Sequence, residues 1–311
     1  MGQEPPSPGY RVVLEHYRRS YVAEEIARFA RKRWVAVHCE LRDELGRPLL
    51  VRYERSDGRG EKKPLSIDDA GDVLRVLEAL EHLRPRTFYA SAALFTRLEH
   101  QEDVADMRNI IAFTPTWDID NEPGAWRATL EVAKAILAFL ERSGVARSAF
   151  VKWSGRGAHI HLHHGALSPE LLVKHGPLDV AYAIVEYVRL KTGPEVADIM
   201  ARYSAGSLRV ENKMDPQRVF TCPLSLHREL DAVAVCLAPD WLDDFTPEWT
   251  RPGSFRHWRG WDRYESGEAD ELALRALELV GGYPRPYRRR RRKTKRVEDM
   301  IMRFLRQPVD A

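Results

Sequence analysis

Ala112-Phe-Thr-Pro-Thr-Trp-Asp-Ile-Asp120 is an apolar stretch that ends in two carboxylates, Asp118 and Asp120. It reads as a β-strand. Side chains on a strand alternate between faces, so both acids project from one side and Ile119 points to the other. Two carboxylates this close repel each other, and a divalent cation between them relieves the repulsion. An acid pair at a strand end therefore suits metal-dependent phosphoryl or nucleotidyl transfer. A solvated turn that happens to carry two acids is the plain alternative, and the rest of the chain has to decide between them.

Working outward, Ala125 to Arg142 has the periodicity of an amphipathic helix closed by Ser143-Gly144. Ser148-Ala-Phe-Val-Lys-Trp153 is the next strand, broken sharply by Ser154-Gly-Arg-Gly157. Ala158 to His163 resumes the alternation, with His159, His161 and His163 on one face. Two glycines let backbone approach a ligand closely, and their amides can form an anion-binding concavity. Ser154, Arg156 and His159 add donors suited to a triphosphate. The three alternating histidines also fit a metal site of a different kind, and a plain hairpin turn is a further reading.

Before the acid pair, Tyr10 to Ala30 is expected to be helical, and Arg33 to Cys39 to form a strand. That strand returns through a Gly46 turn to Leu49–Tyr53, where Leu50 and Arg52 share a face. Arg52 is either a surface charge or a phosphate contact. A helix is expected from Ser66, with Asp69 in a capping box, to the stop at Pro85. Thr87 to Phe95 reads as a strand that leaves the core at Ser91. After the glycine turn, Leu167 to Thr192 is expected to be helical, capped by Ser168, broken at Gly176-Pro177 and ended at Gly193-Pro194, and 197–214 has mixed character. Strands are expected at Arg218–Cys222 and Ala232–Leu237, flanking Ser225-Leu-His227. The Trp- and Pro-rich 239–267 reads as loop, and Ala269 to Val280 as a helix.

The chain has 311 residues, enough for a sizeable core, with an ordinary soluble balance of 44% hydrophobic and 31% charged residues. No apolar run approaches the roughly 20 residues needed to cross a bilayer. With a polar, Pro-rich start, this predicts a cytoplasmic protein with no membrane partner. Cys39, Cys222 and Cys236 form no Cys-x-x-Cys pair and are expected to be buried apolar residues. The net charge is +3, yet residues 285–296 alone carry nine basic and no acidic side chains. The rest of the chain is therefore net acidic, and a basic tail (285–311) on such a body fits a polyanionic partner. A short amphipathic segment, Val297 to Leu305, follows. No Gly-x-Ser-x-Gly elbow, Walker loop or dinucleotide-binding Gly-x-Gly-x-x-Gly is present.

Thr87-Phe-Tyr-Ala-Ser-Ala, Thr116-Trp-Asp-Ile-Asp120, Trp153-Ser-Gly-Arg-Gly-Ala-His-Ile-His161, and Asp215 followed by Arg218 and Pro223-Leu-Ser-Leu-His227 occur in this order. In order and spacing they resemble the catalytic small subunit of archaeal and eukaryotic DNA primases, over roughly Tyr17 to Leu237. The resemblance implies the α+β primase catalytic fold, with a mainly antiparallel central sheet flanked by helices, over residues 10–284. It implies that Asp118, Asp120 and Asp215 hold two Mg²⁺ or Mn²⁺ ions, and that Ser154, Arg156 and His159 grip the incoming triphosphate. Arg218, His227 and Arg52 would assist the nucleotide. The implied activity is template-directed nucleotidyl transfer on single-stranded DNA from an NTP or dNTP, with a primase large subunit as partner. Relatives in the same superfamily act in end joining or lesion bypass with the same site. Many members carry a cysteine-rich zinc module between the second and third motifs. This chain lacks those cysteines, so no cysteine zinc site is expected. A metal-dependent nuclease, a non-catalytic nucleic-acid-binding accessory subunit and a three-histidine metalloenzyme stand as the alternatives.

Overall fold

The computed structural model describes residues 8–55 and 62–284. The basic tail, the amphipathic segment at 297–305 and most of the charged loop after Arg55 lie outside the described residues.

The elements follow in this order. Helices α1 (Pro8–Tyr17) and α2 (Ser20–Ala30) precede strands β1 (Val35–Arg42), β2 (Pro48–Val51), β3 (Tyr53–Arg55) and β4 (Lys62–Pro64). Then come α3 (Ala70–Ala79), β5 (Pro85–Ser91), β6 (Ala93–Phe95), β7 (Ile110–Phe113) and β8 (Thr116–Asp120). Helix α4 (Trp126–Arg142) leads to β9 (Ala149–Trp153) and β10 (Ala158–Leu162). Helices α5 (Pro169–His175) and α6 (Pro177–Arg202), strands β11 (Arg209–Asn212), β12 (Val219–Thr221) and β13 (Val235–Leu237), and helix α7 (Asp270–Val280) complete the chain.

One sheet has the order β12-β5-β1-β2 and the other β11-β8-β10-β9-β13; two short ribbons pair β3 with β4 and β6 with β7. Every strand pairing among these is antiparallel. The antiparallel α+β architecture expected from the sequence is therefore the one found, with the main sheet divided in two. In the five-stranded sheet, alternation sorts residues by face. Trp117 and Ile119 are fully buried, and the Trp117 indole donates to the Val185 carbonyl of α6. Thr116, Asp118 and Asp120 alternate with them and point the other way. On that side Phe220 of β12 brings its ring 5.1 Å from His159 and 5.5 Å from His161. The helices thus cover one face, while the four-stranded sheet meets the other through Phe220.

Several expectations need correction. The Tyr10–Ala30 helix is two helices, because Arg19 adopts extended backbone (ψ 119°) as the cap of α2. The Asp69 side chain is the N-cap itself, accepting from Asp72 N, so α3 starts four residues after Ser66. Thr87–Phe95 is split at Ala92 between two sheets. Ser91 stays fully buried, its hydroxyl donating to Ala93 O and accepting from Trp34 N. Helix α6 does not stop at Gly193-Pro194 but runs through Pro194 to Arg202. Pro194 is exposed, so water can satisfy the carbonyl it frees, and the apolar stripe continues inward through Val196 and Ile199. The three cysteines are buried and free, as expected.

Candidate functional site

Strand pairing builds the site. Asp118 lies between two partners in the sheet: His159 on β10 and Glu211 on β11. His159 Nε2 stands 3.3 Å from Asp118 Oδ1. Just past β11, the Lys213 ammonium lies 2.8 Å from Asp118, 2.7 Å from Asp120 and 2.9 Å from Glu211. Asp118 is the deep member, with 11% of its side chain exposed, whereas Asp120 and Glu211 are 58% and 48% exposed. The cluster therefore opens from the core to solvent. Burial alone would raise the Asp118 carboxyl, but His159 and Lys213 outweigh it and hold its pKa well below the usual carboxylate range. Burial opposes the charge on Lys213 in turn, and the surrounding carboxylates overcome it and push the amine upward.

The glycine turn joins β9 to β10 as a tight hairpin, with Ser154 N donating to Gly157 O. Gly157 lies against the carboxylate strand: a Cβ there would stand 2.0 Å from the Ile119 carbonyl oxygen. Gly155, at φ +120°, presses on His227, whose Cδ2 would be 2.8 Å from an added Cβ. Both glycines are thus required by close approach. Ser154 Oγ turns back to Gly157 O, and half-exposed Arg156 pairs with Glu229 at 3.0 Å. His227 Nδ1 accepts from the amides of Glu229 and Leu230, which leaves the proton on Nε2 as a donor. Burial, with Arg156 and Arg228 adding to it, lowers the His227 pKa to about 4, so the ring is neutral at pH 7.

A third group centres on Asp215. Its carboxylate accepts from Gln217 N and lies 3.3 Å from Arg218 Nε, which donates to Lys213 O. Arg52 stacks on Trp34 (4.9 Å), and its field reaches Asp215. The structure therefore brings Asp118, Asp120 and His159 together directly. Ser154, Arg156 and His227 gather at the glycine turn, and Asp215, Arg218 and Arg52 form a flanking cluster. The carboxylate that joins Asp118 and Asp120 around Lys213 is Glu211, whereas Asp215 is engaged with Arg218. Sequence reasoning missed both Glu211 and Lys213. Their one signal is the alternation Glu211-Asn-Lys213 just before Asp215.

The other histidines serve different ends. His161 bonds Thr116 at 2.8 Å and stacks on Phe150, while His163 stacks on Tyr264 and accepts from Gly165 N. His159 and His161 lie ring against ring at 5.6 Å, but His163 is engaged elsewhere and the three form no common cluster, which removes the basis for a three-histidine metal site. Ser225 is a structural hydroxyl, accepting from Phe88 N and lying 3.1 Å from the Tyr17 hydroxyl.

Among the described residues, no three His, Cys, Asp or Glu side chains are arranged as a ready metal cage. The donor set nonetheless fits a hard divalent cation. Three carboxylates already converge on one cationic atom, the Lys213 ammonium. Asp118, Asp120 and Glu211 are the residues that could hold it.

No protein-family profile matches the chain, and no curated protein does. Among solved structures, the chain is similar to the polymerase domain of Mycobacterium tuberculosis Ligase D, solved in complex with DNA. That match has a TM-score of 0.52 and 17% identity, and covers 88% of this chain and 89% of that one. A second match is the AEP domain of the cyanophage S-2L primase-polymerase, with a TM-score of 0.32, 14% identity and coverage of 75% and 96%. The first likeness shows that the two chains share a fold. No helix among the described residues is long and apolar enough to cross a membrane.

Proposed function

We propose that the chain is a template-directed nucleotidyltransferase of the primase-polymerase kind, with its catalytic unit in residues 10–284. It would transfer a nucleoside monophosphate from an NTP or dNTP to a 3′-hydroxyl on a single-stranded DNA template. The observation that carries this reading is the convergence of Asp118, Asp120 and Glu211 on a single cationic position. The fold shared with the Ligase D polymerase domain supports it, and so does the order of the sequence motifs.

Each group of residues has a role in this reading. Asp118, Asp120 and Glu211 would hold Mg²⁺ or Mn²⁺, with His159 fixing the buried Asp118. Bound divalent ions would neutralise phosphate charge, lower the pKa of the 3′-hydroxyl and stabilise departing pyrophosphate. Ser154, Arg156 and the neutral Nε2–H of His227, clustered at the glycine turn, are donors for the triphosphate. Arg218 and Arg52 add positive charge around Asp215, which orients Arg218. The tail at 285–311 would contact the template phosphates or a partner subunit.

The test is a gel assay on single-stranded template with labelled nucleotides and Mg²⁺ or Mn²⁺, with and without a primer. Products without a primer mark a primase. Extension of a supplied primer alone marks an end-joining or bypass polymerase. A primer that shortens would assign the same carboxylates to a nuclease. No product of any kind from folded protein would leave a nucleic-acid-binding accessory subunit. Deleting 285–311 should weaken DNA binding and flatten its salt dependence, and unchanged affinity and slope would remove the tail from the account.

A further inference from the structure

We infer that Lys213 is a built-in counter-ion that occupies the cation position of the carboxylate site and must be displaced before a divalent ion can bind. The inference rests on the proposed metal role of Asp118, Asp120 and Glu211.

The geometry carries it. An ammonium has three N–H donors, and Lys213 Nζ has three carboxylate neighbours at 2.7–2.9 Å. Those are hydrogen-bond distances, whereas a divalent ion would draw the same oxygens to roughly 2.0–2.6 Å. Nζ and the ion therefore compete for one place. Lys213 is also the cation closest to hand. Its carbonyl accepts from Arg218, which fixes the backbone just beyond the end of β11. The four-carbon stem then leaves the ammonium free to swing.

Two consequences follow. Without metal, Lys213 offsets part of the repulsion among three carboxylates held by the pairing of β8 with β11. Asp118, the buried member, would otherwise face Glu211 directly across the sheet, with His159 beside it. With metal, the cost of expelling Lys213 is subtracted from the binding energy, so Lys213 sets how much free metal the site requires. The site is thus kept assembled and charge-compensated until an ion of sufficient affinity arrives.

The experiment measures Mn²⁺ binding to the full chain by electron paramagnetic resonance or calorimetry, without nucleotide or DNA. It compares wild type, Lys213→Met, Lys213→Arg and the Asp118→Ala/Asp120→Ala variant. Thermal unfolding in chelator and in Mn²⁺ is recorded in parallel. Lys213→Met is expected to bind Mn²⁺ about tenfold tighter than wild type, the scale of one lost charge interaction. It should unfold at lower temperature in chelator and gain more from Mn²⁺. Lys213→Arg keeps the charge and should stay near wild type. Equal or weaker Mn²⁺ binding by Lys213→Met, with binding abolished in the Asp118→Ala/Asp120→Ala variant, overturns the inference and leaves the metal site standing. Binding unaffected by loss of the two aspartates, or absent from wild type and Lys213→Met alike, overturns the metal site itself.

Discussion

Adding one methyl group at Gly157 tests how closely the glycine turn and the carboxylate strand are fitted together. The new Cβ would stand 2.0 Å from Ile119 O, 3.1 Å from Ile119 C and 3.4 Å from Asp120 Cα. All three atoms are backbone, so no side chain can swing aside. Restoring an ordinary 3.4 Å contact from 2.0 Å requires a displacement of about 1.4 Å between the glycine turn and β8. Forced overpacking of this kind costs about 1–3 kcal/mol, and the displaced residues flank Asp118 and Asp120. A shift of about 1 Å in positioned groups can cost roughly a hundredfold in rate. Gly157→Ala is therefore expected to lower unfolding free energy in a urea titration by about 1–3 kcal/mol with the slope unchanged, and to lower nucleotide incorporation far more. Gly124→Ala is the control. Nothing lies within 4 Å of its Cβ position, so it should fall within about 0.5 kcal/mol of wild type. A Gly157→Ala protein as stable and as active as wild type would refute the claim that this close approach positions the acids.

Three further predictions follow from the same reasoning. Lys152 is fully buried, its ammonium has no hydrogen-bond partner, and burial lowers its pKa to about 8. Between pH 10.5 and about 8 the unfolded chain takes up a proton that the folded chain refuses. Stability is therefore lost as pH falls through that window, up to roughly 3 kcal/mol at about 1.4 kcal/mol per pH unit. Lys152→Met should be the more stable protein at pH 7.5, with an advantage that shrinks towards pH 10; a pH-independent difference in urea titrations would contradict this. Pro194→Ala should stabilise the chain by about 1–3 kcal/mol, because α6 gains a backbone donor at an exposed position, and a lower unfolding midpoint would count against that account. Glu211→Gln should lower single-turnover incorporation by roughly a hundredfold or more, whereas Asp215→Asn should act more weakly; the reverse order would return the third-ligand role to Asp215.

Much of this arrangement was legible in the sequence where local pattern and tertiary role coincide. The strand ending in Asp118 and Asp120, with Ile119 turned inward, follows from alternation alone. So does the β9–β10 hairpin, because two glycines interrupt a strand between apolar runs. Glu211 and Lys213 were not legible. Strand β11 has four residues at a sheet edge, none fully buried, so it lacks an apolar signature. Only its register against β8 gives Glu211 a meaning. The run of α6 through Pro194 was hidden for a different reason: proline disfavours a helix interior locally, and here the buried stripe that continues through Val196 and Ile199 outweighs that local cost. The Trp-rich stretch read as loop also carries order that composition cannot reveal. His257, Arg259 and Trp261 converge there on the buried carboxylate of Glu25, more than 200 positions away in the chain. Burial there opposes ionisation, but His257, Trp261 and Arg28 hold the Glu25 pKa down at about 2.

The central claim is that Asp118 and Asp120 serve templated nucleotidyl transfer. The most direct measurement is incorporation of one labelled deoxynucleotide opposite a defined template base on a primed single-stranded template. It would be run in Mn²⁺ with wild type and the Asp118→Ala/Asp120→Ala variant, both verified as folded. The account predicts a product one nucleotide longer, dependent on the complementary base and absent from the variant. A folded wild type that makes no product, or a variant that makes as much as wild type, would contradict it.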